Sequence, residues 1–444
     1  MPHSSPGLAL RYPVRTLNAP RDFRAVLRDR NLAVILLLGF SSGLPLALTG
    51  STLQAWMTVD GVDLSTIGVF TLVGVPYTWK FLWAPAMDRF VPPFLGRRRG
   101  WLLVTQLVLA AAIAAMATLS PRRDTALLAG LALFTAFASA SQDIVFDAYR
   151  TDVAKPEERG LAGALTVVGY RVAMLVSGAL ALILVAGDGW IPAIGWSDTY
   201  FAMAALMGIG VLATLAGTEP ETPARPRSLR ESFVEPLREF LTRPQAGWLM
   251  LLLLVLYKLG DAFALSLSTS FLLRGAGFSL QDVAWVNKAM AIGASIAGAL
   301  VGGVLMVRLR LFQALMGFGV LQGAASLAFM WLALAGKSFP LMVFAVGLEN
   351  FTSGMGTVAF VALLMALCDH RYTATQYALL SALSAFGRVY VGPVAGFATD
   401  PRHLGLPWPA FFFLTFIAAI PGLMLLAWKR PAIEALDRRT QDAP

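Results

Sequence analysis

Residues 139–153 read SASQDIVFDAYRTDV and close an apolar run that begins near Ala126. A helix over this run is long enough to cross about 30 Å of hydrocarbon, so Asp143 and Asp147 fall where lipid would otherwise be. A charge at the centre of such a helix costs at least about 2.5 kcal/mol unless it is paired or hydrated. Spaced by four residues, the two carboxylates share one helix face. That face must therefore meet water, a ligand or a partner charge.

The rest of the chain has the same character. Of its 444 residues 57% are hydrophobic and only 14% charged, which is more apolar surface than one globular core can cover. Runs of about 20 apolar residues recur at 31–56, 65–88, 100–120, 124–150, 159–186, 198–217, 246–273, 280–307, 311–335, 339–367, 374–399 and 407–428. The fold class expected is an all-α membrane protein with twelve transmembrane helices. The longest polar interruption, 218–245, is rich in Pro and Arg and divides the spans six plus six. This predicts an N-terminal tail (1–30), a six-helix bundle (31–217), a linker (218–245), a second six-helix bundle (246–430) and a C-terminal tail (431–444). Within the linker, Phe233, Leu237, Phe240 and Leu241 recur at helical spacing, which suits either a short interfacial helix or a plain connector.

The net charge of +9 is topological rather than a nucleic-acid signal. Lys and Arg flanking the spans number 25 on the side of the termini against 5 on the other, which places both termini in the cytoplasm. The single cysteine, Cys368, excludes an internal disulfide and a thiolate metal cluster. His3, His370 and His403 stand at or beyond span ends, and the chain holds neither a His-Glu-x-x-His nor a Gly-x-Ser-x-Gly motif. No span is left for a soluble nucleotide domain. An enzyme is thus not expected, nor a metal or other cofactor; a secondary transporter or a transporter-like receptor remains, read as a monomer in the lipid bilayer.

The two halves look like copies. Gly61, Leu64 and Ile67 match Gly277, Leu280 and Val283 at an offset of 216, and Arg171 matches Arg388 at 217. Six plus six in parallel is the plan of the major facilitator fold, in which spans 3, 6, 9 and 12 lie outermost and the other eight surround a cavity. The intramembrane charges are Lys80 in span 2, Asp143 and Asp147 in 4, Arg171 in 5, Lys258 and Asp261 in 7, Lys288 in 8, Glu349 in 10 and Arg388 in 11. None falls in the outer four, which blind placement gives roughly once in a hundred draws, so a polar cavity is expected.

Between spans 2 and 3, Asp88-Arg89 followed by Gly96-Arg97-Arg98-Arg99 resembles the major facilitator loop signature, with Ala84 in place of its leading glycine and a longer turn. Asp88, Arg89 and, at the end of span 4, Arg150 are the gating candidates; a topogenic basic loop explains the arginines equally well. The stretches FSSGLPLALTGSTLQAWM (40–57), WKFLWAPAMDR (79–89), GRRRGWLL (96–103), SASQDIVFDAYRTDV, PEERG (156–160) and YTATQYALLSAL (372–383) resemble the AmpG family of muropeptide permeases. That resemblance implies import of N-acetylglucosaminyl-1,6-anhydro-N-acetylmuramyl peptides across the bacterial inner membrane, driven by the proton gradient, for cell-wall recycling linked to β-lactamase induction. Import of another organic anion such as acetyl-CoA, or muropeptide sensing without transport, are the alternatives.

Site roles follow. Asp143, Asp147, Asp261 and Glu349 are the proton-coupling candidates. Asp143 ranks first, because Asp147 has Arg150 at i+3 to keep it ionised. Arg171 is a candidate partner for Asp143 or for a ligand carboxylate. Lys80, Arg171, Lys258, Lys288 and Arg388 outnumber the acids and suit a stem peptide with free carboxylates, with Gln142 as a further polar contact. Trp79, Tyr170 and Tyr257, with Trp83 and Tyr149, offer flat faces for sugars or ordinary packing. Gly43-Leu44-Pro45 and Gly392-Pro393 with Gly396 suit hinges or close helix packing.

Overall fold

The computed structural model describes residues 29–84, 87, 90–154, 159–187, 189–220, 238, 247–306, 308–367 and 373–441. Asp88, Arg89 and the four apolar linker residues lie outside this set. In chain order the helices are α1 (Arg30–Val59), α2 (64–82), α3 (Arg97–Met116), α4 (Thr125–Val153), α5 (159–186), α6 (Gly195–Ala216), α7 (Gly247–Gly275), α8 (Leu280–Met306), α9 (Leu311–Ala335), α10 (Phe339–Leu367), α11 (Thr373–Thr399), α12 (Trp408–Trp428) and α13 (Arg430–Gln441).

Ten helices among the described residues are long and apolar enough to cross a membrane: α1, α3 to α10 and α12. The second expected span is not one continuous α-helix. It runs as α-helical turns at Leu64–Val69 and Val75–Trp79 joined by 3₁₀ turns at Phe70–Gly74 and Lys80–Leu82. Pro76 has no N–H for the carbonyl four residues back, and Gly74 adds nothing to hold the helix. Irregular backbone at this depth is tolerated where protein or a cavity covers it. α11 is an unbroken helix of 27 residues, ample to span hydrocarbon by length.

The halves repeat one set of pairings. α1 packs on α5 as α7 does on α11, α3 on α4 and α6 as α9 does on α10 and α12, and α2 on α4 as α8 does on α10. The duplication is clearest at the start of α2 and α8. Gly61 and Gly277 both adopt positive φ (84° and 73°), and two residues later Asp63 and Ser279 cap the helix by accepting from the N–H of Thr66 and Asp282.

Glycines let the bundles close up. A Cβ on Gly39 or Gly43 of α1 would stand 2.8 or 2.7 Å from a carbonyl oxygen of α5, and one on Gly396 of α11 would stand 3.0 Å from Gly68 Cα of α2. The candidate hinge glycines Gly43 and Gly396 therefore serve close packing here. Where helices meet lipid the surface is apolar, with Leu107, Leu127, Leu212, Leu300, Val304 and Met424 all exposed.

Call the face at which α1 begins the near face. There Glu219 accepts hydrogen bonds from the N–H groups of Arg98 and Arg99, both 2.9 Å, at the start of α3. Arg99 donates to the carbonyls of Thr214 and Leu215 at the end of α6, and Arg98 pairs with Asp152 of α4 at 3.0 Å. The arginine run thus ties three helix ends together. The segment from 431, expected as a tail, is helical through Gln441 and buries Ile433 and Leu436 against the second half.

Candidate functional site

A cavity of about 750 Å³ lies between the halves, walled by α1, α2, α5, α7 and α11. Its polar lining includes Thr49, Gln54, Tyr77, Thr78, Tyr170 and Ser266. Two features of sequence shape the wall: the break of α1 at Gly50, below Pro45, and the irregular turns of α2. Among the described lining residues the charged ones are Arg171 of α5 and Arg388 of α11. These are the duplicated pair, one guanidinium from each half. A donor fork facing inward from both sides suits carboxylates held in two-pronged contacts.

The other expected cavity charges are not on this wall. Asp143 sits behind it, where Ser42 of α1 donates a hydrogen bond to Oδ1 and Lys80 is the foremost cation. Arg171 is therefore not the ion-pair partner of Asp143 here; it faces the cavity, and the irregular turn of α2 brings Lys80 to the acid instead. Tyr77 and Tyr170, which border the cavity, both lie within reach of the Asp143 charge. Asp147 lies one turn on, more than half exposed, with Arg150 Nη2 at 3.3 Å.

A second cluster lies in the other half. Lys258 Nζ is 3.9 Å from Asp261 Oδ2 and 3.2 Å from Thr357 Oγ1, and Ser353 Oγ donates to Asp261 Oδ2 at 3.3 Å. Glu349 of α10 is fully buried, its carboxyl beside that of Asp261. Lys288 of α8 donates to Thr269 at 3.1 Å, its stem against Gly178 of α5, and is not on the wall.

Several expected ligand contacts are engaged with other protein groups in this structure. Gln142 is buried and donates to Ser41 Oγ at 3.1 Å across the α1–α4 seam. Tyr257 stacks on Phe360 and donates to the carbonyl of Leu315 at 2.9 Å, so its ring belongs to the core. Tyr149 is likewise fully buried, and Trp83 packs on Phe137. Trp79 donates to Tyr390 Oη at 2.9 Å and meets Phe386 edge-on, bridging the halves. Of the aromatic candidates, Tyr170 is on the wall.

Contacts that close the far face involve Arg274 and Arg402, two of the five basic residues on the side away from the termini, which charge counting alone gives no partner. Arg274 of α7 donates to the carbonyls of Met57, Thr58 and Val62 around the end of α1. Nearby Gln54 donates to the Ser266 carbonyl, and Thr58 meets Ser270 at 2.9 Å. Arg402 bridges Asp63 of the first half and Asp400 of the second, and Asp400 also accepts from Ser65 N at 3.2 Å. Burial works against the Asp63 charge, but hydrogen bonds from Ser65 and Thr66 and the Arg402 guanidinium outweigh it and hold the carboxyl down at about 2. Hydrogen bonding from Arg402 likewise keeps Asp400 below the usual carboxylate range. These bonds hold the halves together at the far face.

The sequence matches the profile of the Major Facilitator Superfamily over residues 35–392. It is 55% identical over 414 residues to the anhydromuropeptide permease of Escherichia coli (strain K12), covering 93% of this chain and 82% of that one. To a putative transporter AmpG 4 of Rickettsia conorii it is 31% identical, with 91% and 97% covered. Among solved structures, a POT family transporter in complex with a thioalcohol-conjugated peptide superposes with a TM-score of 0.68 at 12% identity (92% and 96% covered). A D-xylose-proton symporter superposes with a TM-score of 0.63 at 11% identity (92% and 97% covered). At such identities the structures speak to the fold alone.

Proposed function

The chain belongs to the Major Facilitator Superfamily and, within it, to the family of the anhydromuropeptide permeases, and from that membership we propose that it imports N-acetylglucosaminyl-1,6-anhydro-N-acetylmuramyl peptides by proton symport. It is a transporter and not an enzyme. The observation that carries the substrate class is the Arg171–Arg388 pair facing one cavity from two halves. Free carboxylates on a stem peptide fit that pair. The neutral hydroxyl and amide lining, with Tyr170, fits sugar hydroxyls and a ring face.

Both termini lie in the cytoplasm of the bacterial inner membrane under the positive-inside rule, so the far face is periplasmic. With the halves bonded there, this orientation makes the structure the state closed to the periplasm. Alternating access then requires the Arg274 and Arg402 contacts to break as the near face closes. Product delivered to the cytoplasm enters cell-wall recycling and the signal for β-lactamase induction.

The test is uptake of labelled anhydromuropeptide into proteoliposomes with an imposed proton gradient, with and without a protonophore. Accumulation that the protonophore abolishes is expected. Binding without uptake would mean a sensor, and uptake of acetyl-CoA in place of the muropeptide would mean another organic-anion carrier.

A further inference from the structure

The two acid sites differ in how the protein serves them. Asp143 has a donor in Ser42 and a cation in Lys80. In the second half, neither oxygen of Glu349 nor Asp261 Oδ1 receives a hydrogen bond from a donor among the described residues. Of the four oxygens in this pair only Asp261 Oδ2 is served, by Ser353 and more distantly by Lys258. Glu349 is fully buried, so bulk water does not compensate. Two buried carboxylates against one ammonium leave an excess negative charge that a low-dielectric interior does not hold cheaply.

We propose that Asp261 and Glu349 share a single proton and together form the proton-carrying site, an inference that rests on the symport reading above. A proton held between Asp261 Oδ1 and a Glu349 oxygen supplies the missing donor. It also leaves one negative charge to match Lys258. Two carboxylates sharing one proton side by side, as the paired aspartates of aspartic proteases do, is a known solution to this problem.

Among the charged and titratable groups around the pair, Arg388 links it electrostatically to the cavity. From α7 come Lys258 and Tyr257, whose hydroxyl is committed to the Leu315 carbonyl. From α11 comes Arg388, which acts electrostatically on Lys258 and lines the cavity. α9 contributes only the neutral Gln322 amide facing Gly356, and Lys288 of α8 is bonded to Thr269. With Arg388 unpaired, its positive field opposes a proton on the pair. A substrate carboxylate that neutralises Arg388 removes that opposition, so substrate and proton bind with positive cooperativity, which linkage makes reciprocal. Asp143, with its donor in Ser42 and the Lys80 charge nearby, is served without a shared proton.

The experiment uses the full chain in proteoliposomes with labelled N-acetylglucosaminyl-1,6-anhydro-N-acetylmuramyl tripeptide. Glu349→Gln and Asp261→Asn are expected to keep counterflow exchange and lose gradient-driven accumulation. In the unaltered protein, infrared spectroscopy at neutral pH should show a protonated-carboxyl carbonyl band that each substitution removes. Accumulation by Glu349→Gln that remains protonophore-sensitive overturns the proposal, as does the lack of such a band in the unaltered protein. Should the unaltered protein exchange no muropeptide, the substrate reading fails, while the infrared band still decides whether the pair holds a proton.

Discussion

Arg171 and Arg388 occupy matched positions in the two halves, and the fold turns both onto one cavity wall. A hydrogen bond to a charged group is worth about 1.5–3 kcal/mol, and lysine cannot reproduce the two-pronged geometry. Arg171→Lys and Arg388→Lys should each raise the KM for muropeptide about tenfold or more, with a smaller change in kcat, as measured by initial uptake rates at equal expression. An unchanged KM in both variants excludes direct carboxylate recognition. Asp143 makes the contrasting case. Ser42 donates to its oxygen and Lys80 is the foremost cation acting on it, so Asp143→Asn should slow transport by removing the charge that faces Lys80 yet leave a protonophore-sensitive accumulation ratio. Collapse of that ratio with exchange intact would move the proton site from the second half to Asp143.

At the level of helices, closure of the far face rests on a few contacts with separable physics. Arg402 joins Asp63 and Asp400 across the halves while remaining largely exposed. Both acids have lowered folded values, so their contribution is complete above the ordinary carboxylate range near 4 and is lost only as pH falls toward about 2. Between pH 8 and 5 this latch should therefore be insensitive to pH. Spin labels at Arg123 and Lys337 in far-face loops of the two halves should report one distance distribution across that range. Arg402→Ala should shift it to longer distances at every pH, and a pH-dependent distance in the unaltered latch would contradict the assignment. The α2–α11 crossing is steric instead. A valine at Gly396 meets Leu64 O at 2.5 Å from its Cβ, so Gly396→Val should cost about 1–3 kcal/mol through overpacking. It should lower Tm in detergent and lengthen the same label distance. A Tm equal to that of the unaltered protein would show that the crossing can relax.

For the molecule as a whole, the charge asymmetry predicts a testable topology. A fluorescent protein fused after Pro444 should fold and fluoresce in the cytoplasm, whereas an alkaline phosphatase fused there should be inactive. The reverse pattern would invert the membrane orientation and make the closed face cytoplasmic. The repeat itself was readable because Gly61 and Gly277 perform the same backbone task before the same kind of N-cap. Such a task restricts the residue type whatever the surroundings.

Membrane class, the apolar helical runs and the division into two similar halves followed from the sequence alone, since lipid demands long apolar helices and a duplicated backbone leaves residues at a constant offset. Of the spans that carry charge (2, 4, 5, 7, 8, 10 and 11), the second, fifth, seventh and eleventh wall the cavity, together with the uncharged first. Which charges meet, and which reach the cavity, was decided by tertiary structure. Helical spacing pairs Asp147 with Arg150, but only helix crossing brings Ser42 and Lys80 to Asp143, or seats Glu349 beside Asp261. The same holds for the turns of α2, whose irregularity puts Lys80 behind the wall while Tyr77 lines it. Periodicity fixes a side chain's direction relative to its own helix axis, whereas contacts depend on how each helix is rotated and shifted against its neighbours, and that is set by packing between residues far apart in the chain.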